Sequence, residues 1–100
     1  IATEEKELPE LLTQITRIMA DAGLDVITLR PRQDISRNGY SEIPIEITAE
    51  GSYENIIKSF AALRKIDCFM MFQNIKMRFD ENDTYVKMSM QIILYGVSSE

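Results

Sequence analysis

The chain has 100 residues and a formal net charge of −5, and 45% of its residues are hydrophobic. This length and composition are typical of one globular domain, and the acidic balance argues against binding nucleic acid through an overall basic field. The single cysteine and the lack of histidine exclude an intramolecular disulfide framework and histidine-dependent metal centres or hydrolases. The composition therefore favours a small binding or structural domain with no catalytic residues, no cofactor and no metal.

The two ends of the chain differ from the segment between them. Residues 1–7 include the acidic run Thr3-Glu4-Glu5-Lys6-Glu7, which we interpret as a frayed lead-in or the end of a helix arriving from upstream. Residues 98–100 form a short polar tail. No run approaches the roughly 18 apolar residues of a membrane span. We expect the folded domain to occupy residues 8–97.

In the first half of the chain, the spacing predicts one helix and two strands. The helix is indicated by apolar residues three and four positions apart, namely Leu8, Leu11, Leu12, Ile15, Ile18, Met19 and Ala22. Gly23 followed by Leu24 is typical of a helix end. A short β-branched run from Val26 to Arg30 predicts the first strand. After a polar segment at 32–39, the second strand is predicted by the alternating residues Ile43, Ile45, Ile47 and Ala49.

The second half repeats this plan of a helix followed by two strands. Ser52 is a suitable N-cap for a helix whose apolar face carries Tyr53, Ile56, Ile57, Phe60 and Leu63. The third strand is predicted over Cys68–Phe79, with one side carrying Phe69, Met71, Ile75, Met77 and Phe79. A loop at 80–83 leads to the fourth strand, Tyr85–Tyr95, with one side carrying Val86, Met88, Met90, Ile92 and Leu94.

The element order α-β-β-α-β-β predicts an α+β fold. Strands with one apolar side need helices on that side only, so we expect a four-stranded antiparallel sheet with both helices on one face. Placing the fourth strand between the second and the third gives the spatial order 3-4-2-1. This is a ferredoxin-like sheet with its chain order circularly shifted.

The charged residues give little sign of catalysis. Glu42, Glu46 and Glu50 share one face of the second strand, where a solvated sheet surface is the ordinary role for carboxylates. The acidic residues of the 80–83 loop lack the spacing of a calcium-binding EF-hand. Cys68 has no histidine to serve as its base. Three arginines near the polar 32–39 segment, Arg30, Arg32 and Arg37, are expected to be solvated or to meet an acidic partner.

One group of apolar residues indicates a contact surface. The third strand begins Cys68-Phe69-Met70-Met71-Phe72, so both of its faces are apolar there. Under the predicted alternation, the side chains that reach the face without helices are Met70, Phe72, Ile93 and Tyr95. Exposed apolar groups on an edge strand usually mark a contact site, so these four residues are our predicted partner-binding residues. The outer side of the first helix is a second candidate.

Several short motifs resemble the periplasmic domain of the PilO family of type IV pilus assembly proteins. The resemblance is carried by the run from Tyr40 to Ile47, by Gly51-Ser52-Tyr53 and Phe60, by Leu63-Arg64-Lys65-Ile66, and by Leu94-Tyr95 near the end. The motifs lie between Tyr40 and Tyr95, and the resemblance as a whole runs from about Leu8 to Tyr95. The sequence departs from the family at Lys65, where arginine is usual, and at Asp67-Cys68, which is less apolar.

The resemblance implies a non-catalytic role in pilus biogenesis. Members of this family resemble bitopic inner-membrane proteins in which a coiled coil precedes the periplasmic domain, so residues 1–7 would be the end of that coiled coil or a linker. The membrane would be reached only through an upstream segment. The implied partners are a second copy of the chain, a PilN-like protein that forms a heterodimer with it, and a PilP-like lipoprotein.

Other functions stay open at this point. The departures from the family allow a GspM-like subunit of a type II secretion system. A small-molecule regulatory domain of the ACT type also uses a ferredoxin-like sheet, although its usual element order is different and it has a glycine-containing ligand turn after the first strand. An acylphosphatase-like hydrolase would need an arginine-bearing anion loop, for which Arg30 or Arg37 with Asn38 are the candidates.

Overall fold

The computed structural model describes residues 8–82 and 84–97 and contains two helices and five strands. The elements are α1 (Leu8–Asp21), β1 (Asp25–Pro31), β2 (Ile35–Ser36), β3 (Tyr40–Gly51), α2 (Tyr53–Leu63), β4 (Met70–Phe79) and β5 (Val86–Val97). Both predicted helices and all four predicted strands are present. The segments predicted as an upstream helix end, 1–7, and as a tail, 98–100, lie outside the described residues.

All neighbouring strands in the sheet are antiparallel, and the main path runs β1-β3-β5-β4. This is the spatial order predicted for the four long strands. The predicted count of four is wrong, because the two-residue strand β2 also pairs with β3 through Ile35 opposite Glu42 and Ser36 opposite Ser41. Two residues are too few to show a periodic pattern, so the sequence indicated only a polar turn there.

Helix α1 places Leu11, Ile15 and Met19, one turn apart, in the core. Gly23 follows the end of the helix, and its φ of +91° lies in the left-handed region that favours glycine. The N–H of Gly23 donates to the carbonyl of Ala20 at 2.9 Å and that of Leu24 donates to Met19 at 3.1 Å, the paired bonds of a Schellman motif. The turn directs the buried Leu24 back toward the sheet.

Helix α2 begins at the predicted N-cap. The Ser52 hydroxyl accepts a hydrogen bond from the backbone N–H of Asn55 at 3.1 Å, which satisfies one of the helix's unpaired donors. Just before it, Gly51 closes β3 in tight contact with the end of α1. A Cβ atom at Gly51 would lie 2.4 Å from Cδ2 of Leu24, so only glycine fits there without movement.

The main core lies between the two helices and one face of the sheet. The helices contribute Leu11, Ile15, Met19, Ile56 and Leu63, and β3 contributes Ile43, Ile45, Ile47 and Ala49. The central strand β5 contributes Val86, Met88, Met90, Ile92 and Leu94. The predicted alternation of these two strands is therefore confirmed. Their other side chains point to the opposite side of the sheet, which we call the open face.

The hairpin between β4 and β5 is closed by a carboxylate. Oδ1 of Asp80 accepts the backbone N–H of Thr84 at 2.8 Å and that of Tyr85 at 3.2 Å. These bonds, with the Tyr85 donor contributing most, hold the pKa of Asp80 below its ordinary value. The residue predicted as part of this acidic loop thus organises the turn.

Candidate interaction surface

A bulge in β4 decides which side chains reach the open face. The pairing register of β4 with β5 shifts between Gln73 and Lys76, and Asn74 adopts a left-handed φ of +56°. A bulge inserts an extra residue, so the alternation of sides reverses across it. Before the bulge the even-numbered residues face the helices, and after it the odd-numbered residues do.

The predicted orientation of Met70 and Phe72 is therefore wrong. Met70 is paired with Leu94 and Phe72 with Ile92, so both lie on the helix side of the sheet. The ring of Phe72 packs against that of Phe60 on α2, with centroids 5.9 Å apart. Both residues are half-buried against the core. Because residues 68–72 are all apolar, the sequence does not indicate which of their side chains face the helices. Alternation along the strand also does not reveal the position of the bulge.

The two other predicted contact residues, Ile93 and Tyr95, do lie on the open face. Ile93 sits in a row with Pro44 on β3 and Met71 on β4, its direct partners across the strands. It is only 4% exposed although it is not a member of the main core. With its two apolar partners across the strands it forms a second, smaller cluster on the open face.

This cluster continues to the end of the sheet where β3 begins and β5 ends. Tyr95 lies opposite Glu42, and its ring is 6.2 Å from that of Tyr40. Ile35 on β2 is paired with the same Glu42 from the other side. Large exposed fractions remain on Met71 (48%), Tyr40 (43%) and Ile35 (42%). We define the open-face patch as Ile35, Tyr40, Pro44, Met71, Ile93 and Tyr95.

Sequence reasoning missed four of these six residues. Unbroken alternation placed Met71 on the helix side of the third strand, and Pro44 was not among the predicted contact residues. Ile35 and Tyr40 stand in or beside the polar segment at 32–39. The sequence signal for these two residues was that one isolated apolar residue stands on each side of the Asn38-Gly39 turn. In the structure this turn joins β2 to β3 as a hairpin.

Two arginines, one in this hairpin and one just after β1, neutralise carboxylates beside the patch. Nε of Arg37 donates to Oε1 of Glu42 at 2.6 Å, and Arg32 bonds Glu46 in the same way. The hydrogen bond from Arg32 lowers the pKa of Glu46, and the bonds to the two carboxylates raise the pKa of both arginines. Of the two arginines considered for an anion-binding loop, Arg37 is thus engaged with a side chain of the same chain.

No arrangement typical of catalysis is visible among the described residues. Glu42, Glu46 and Glu50 share the open face as predicted, spaced along β3 and paired with different residues of β5. Residues 8–82 and 84–97 hold no cluster of three or more acidic, cysteine or histidine side chains suited to a metal. Cys68 is half-buried and packs against the main core.

The surface also has two shallow depressions. One of about 380 Å³ lies on the outer side of α1, the second candidate surface, and is lined by Leu12, Thr13, Thr16, Arg17 and Ala20. The other, of about 270 Å³, lies in the middle of the open face between polar residues that include Thr48, Asn74 and Ser89. Within the described part of the chain, no helix is long and apolar enough to cross a membrane.

Comparison with known proteins identifies a family across nearly the whole chain. The family model for the type IVa pilus alignment subcomplex PilO C-terminal domain matches residues 7–98. Compared with individual curated sequences, the chain matches none.

Solved structures share the fold. A crystal structure of the type 4 fimbrial biogenesis protein PilO from Pseudomonas aeruginosa superposes with a TM-score of 0.88 at 20% identity, covering 95% of this chain and 72% of that one. The core region of PilO from the type IV pilus system of the same organism gives 0.79 at 18% identity, covering 90% and 94%. A protein from Akkermansia muciniphila gives 0.71 at 18% identity, covering 86% and 49%.

Proposed function

The chain belongs to the PilO family of type IVa pilus alignment subcomplex proteins, and from this premise we propose that it is a non-catalytic structural subunit of that subcomplex. The resemblance noted in the sequence is confirmed by the family match. The observation that carries the proposal is this match over residues 7–98. The domain would act in the periplasm, held to the inner membrane by a segment upstream of it.

The mechanism we propose is reversible association with similar domains. A second copy of the chain and a PilN-like partner would pair with it, and a PilP-like lipoprotein would join the pair to the rest of the pilus machinery. The open-face patch supports this view, because contiguous apolar groups on a small domain usually serve protein contacts. The absence of a candidate nucleophile–base pair in the described residues gives no reason to add an enzymatic step.

A deletion experiment in the native organism tests this role. Removing the codons for residues 8–97 should abolish surface pili, counted by electron microscopy, and the intact gene supplied in trans should restore them. A tagged full-length protein should co-purify with another member of the alignment subcomplex after mild cross-linking. Normal piliation in the deletion strain would overturn the proposal.

A matched variant separates function from folding. Met71→Ala changes the open-face patch at a residue that is 48% exposed, so the protein should remain folded. We expect weaker co-purification with this variant, whereas Ile57→Ala, at a residue of α2 that is 44% exposed, should leave it unchanged. No observation favours a GspM-like or an ACT-like role over this one.

A further inference from the structure

Strand β4 lies at one end of the sheet, and within the described part of the chain it pairs with β5 alone. The backbone N–H of Asp80, the residue after β4, donates to the carbonyl of Tyr85 at 3.0 Å. Backbone groups of an antiparallel strand alternate in direction from one residue to the next. The N–H and C=O groups of Phe79 and Met77 therefore point away from β5, toward the outer edge of the sheet.

The side chains of β4 after the bulge alternate between basic and apolar. Lys76 and Arg78 point to the open face, where both are exposed. Met77 is paired with Met88 of the main core, so Met77 and Phe79 lie on the helix side. We define residues 76–79 as the β4 edge. A strand added beside it would meet basic groups on one face and apolar groups on the other.

The two bases of the β4 edge have no acid directly across the sheet among the described residues. Lys76 is paired with Ser89, and Arg78 with the like charge of Lys87. Lys87 has Glu50 on its other side, whereas no described strand lies beyond Arg78. The ion pairs within 4 Å among residues 8–82 and 84–97 involve other side chains. An acidic side chain on an added strand would give Arg78 an unlike neighbour.

The helix side of the β4 edge carries two exposed aromatic rings. Phe79 is 44% exposed and Tyr53, at the start of α2, is 49% exposed. Their ring centroids are 5.9 Å apart, so they form one continuous apolar surface beside the strand. Apolar side chains of an added strand would remove this surface from water, which favours binding in proportion to the area covered.

The sequence of the β4 edge disfavours a second copy of the chain as the added strand. If two such edges paired antiparallel about Met77, Lys76 of one copy would face Arg78 of the other. Like charges directly opposite each other destabilise a strand pair. The charges therefore favour a different chain with acids at these positions.

We propose that the β4 edge binds an extended segment of a different protein, which adds to the sheet as one more strand and carries alternating apolar and acidic side chains. The segment bonds the backbone of Met77 and Phe79, covers the rings of Phe79 and Tyr53, and places its acids beside Lys76 and Arg78. The bulge limits it to about five residues, or about 15 Å of extended chain. This inference rests on the proposed function only for its biological setting.

Two synthetic peptides test this specificity on the full 100-residue chain. Valine alternates with glutamate in one and with lysine in the other, and fluorescence anisotropy of a terminal dye measures binding. The chain should bind the glutamate peptide at least about tenfold more tightly, although its net charge of −5 alone would favour the lysine peptide. Lys76→Glu with Arg78→Glu should reverse the preference, because the acids of the peptide then meet acids.

A matched variant controls for net charge. Arg64→Glu with Lys65→Glu makes the same change in charge at exposed residues just beyond α2. This variant should still prefer the glutamate peptide, with a dissociation constant within about threefold of the wild-type value. Circular dichroism melting should show that both double variants are folded, since all four substituted side chains are exposed.

Amide hydrogen exchange, followed by nuclear magnetic resonance, tests the added strand itself. Saturation with the glutamate peptide should slow exchange at Met77 and Phe79 by at least about tenfold, because their N–H groups become bonded. Exchange at Lys76 and Arg78, whose N–H groups point to β5, should change much less. A peptide held by charge alone would leave exchange at Met77 unchanged and would overturn the proposal.

The outcomes also separate this inference from the proposed function. Charge-dependent binding together with protection of Met77 and Phe79 supports strand addition. Absence of binding at about 1 mM peptide, or a preference that the charge reversal does not change, would overturn it. Protection of both amides without peptide that increases with protein concentration would assign the edge to a second copy and likewise overturn it. In each of these cases, loss of pili on deletion would still support the structural role.

Discussion

Two neighbouring residues of β4 should respond very differently to the same substitution. The structure places Phe72 against Phe60 on the helix side, with the rings 5.9 Å apart, and leaves Met71 on the open face with 48% of its surface exposed. Unbroken alternation along the strand would assign these sides the other way round. Phe72→Ala and Met71→Ala therefore test the bulge at Asn74 directly.

The expected magnitudes follow from burial. Truncating a fully buried phenylalanine costs about 3–5 kcal/mol, and Phe72 is half-buried, so Phe72→Ala should reduce the free energy of unfolding by about 2 kcal/mol. That value includes the aromatic contact with Phe60, which contributes about 0.5–1.5 kcal/mol. Met71 keeps about half of its surface in water, and Met71→Ala should cost less than about 1 kcal/mol.

Urea denaturation followed by circular dichroism measures both values on the same chain. In thermal melts, about 2 kcal/mol corresponds to a fall of about 8–16 °C in Tm for a domain of this size. The slope of the free energy against urea should be equal for the two variants, so that the midpoints report stability. If Met71→Ala costs as much as Phe72→Ala, or more, the register of β4 described here is wrong.

Three further outcomes are expected. Ile45→Asp buries a charge in the core and should leave the chain unfolded by circular dichroism, whereas a folded variant would contradict the register of β3. Gly51→Ala should lower Tm, because its Cβ would meet Leu24 at 2.4 Å, and the same substitution should lower Tm by less when it is made in a Leu24→Ala background. Asp80→Asn should weaken the dependence of the free energy of unfolding on pH. Because the pKa of Asp80 is lowered in the fold, its ionised carboxylate stabilises the fold at pH values above the ordinary pKa of 3.8. This stabilisation is lost as the pH falls through the lower pKa of the folded state. The wild-type advantage in urea melts should therefore shrink below about pH 4, and an advantage independent of pH would contradict the role of the carboxylate.

The sequence predicted the buried face correctly wherever one face of a helix or strand is buried and the other is exposed to solvent. The alternation around Ile45 in β3 and Met90 in β5 marks the buried face, because each strand is apolar on one side and mainly polar on the other for most of its length. Likewise, the 3.6-residue period of α1 and the glycine at its end located the helix well.

It was a poor guide where both faces are apolar. From Cys68 to Phe72, periodicity cannot assign a side, and the change at Asn74 depends on a left-handed backbone conformation that asparagine tolerates but does not require. Of the four predicted contact residues, Ile93 and Tyr95 therefore lie in the open-face patch, whereas Met70 and Phe72 lie on the other side of the sheet. Strand β2 was missed because it consists of two residues held by long-range pairing with β3.

The bulge in β4 also limits how copies of this domain can add to one another. An uninterrupted edge strand offers a continuous row of hydrogen-bonding groups, along which further chains can be added without end. In β4 this row is broken at Asn74, so an incoming strand that matches the residues before the break is out of step after it. Growth by edge-to-edge addition is thereby discouraged. A subunit that must keep a fixed stoichiometry in a larger assembly benefits from closed associations rather than from contacts that propagate as filaments.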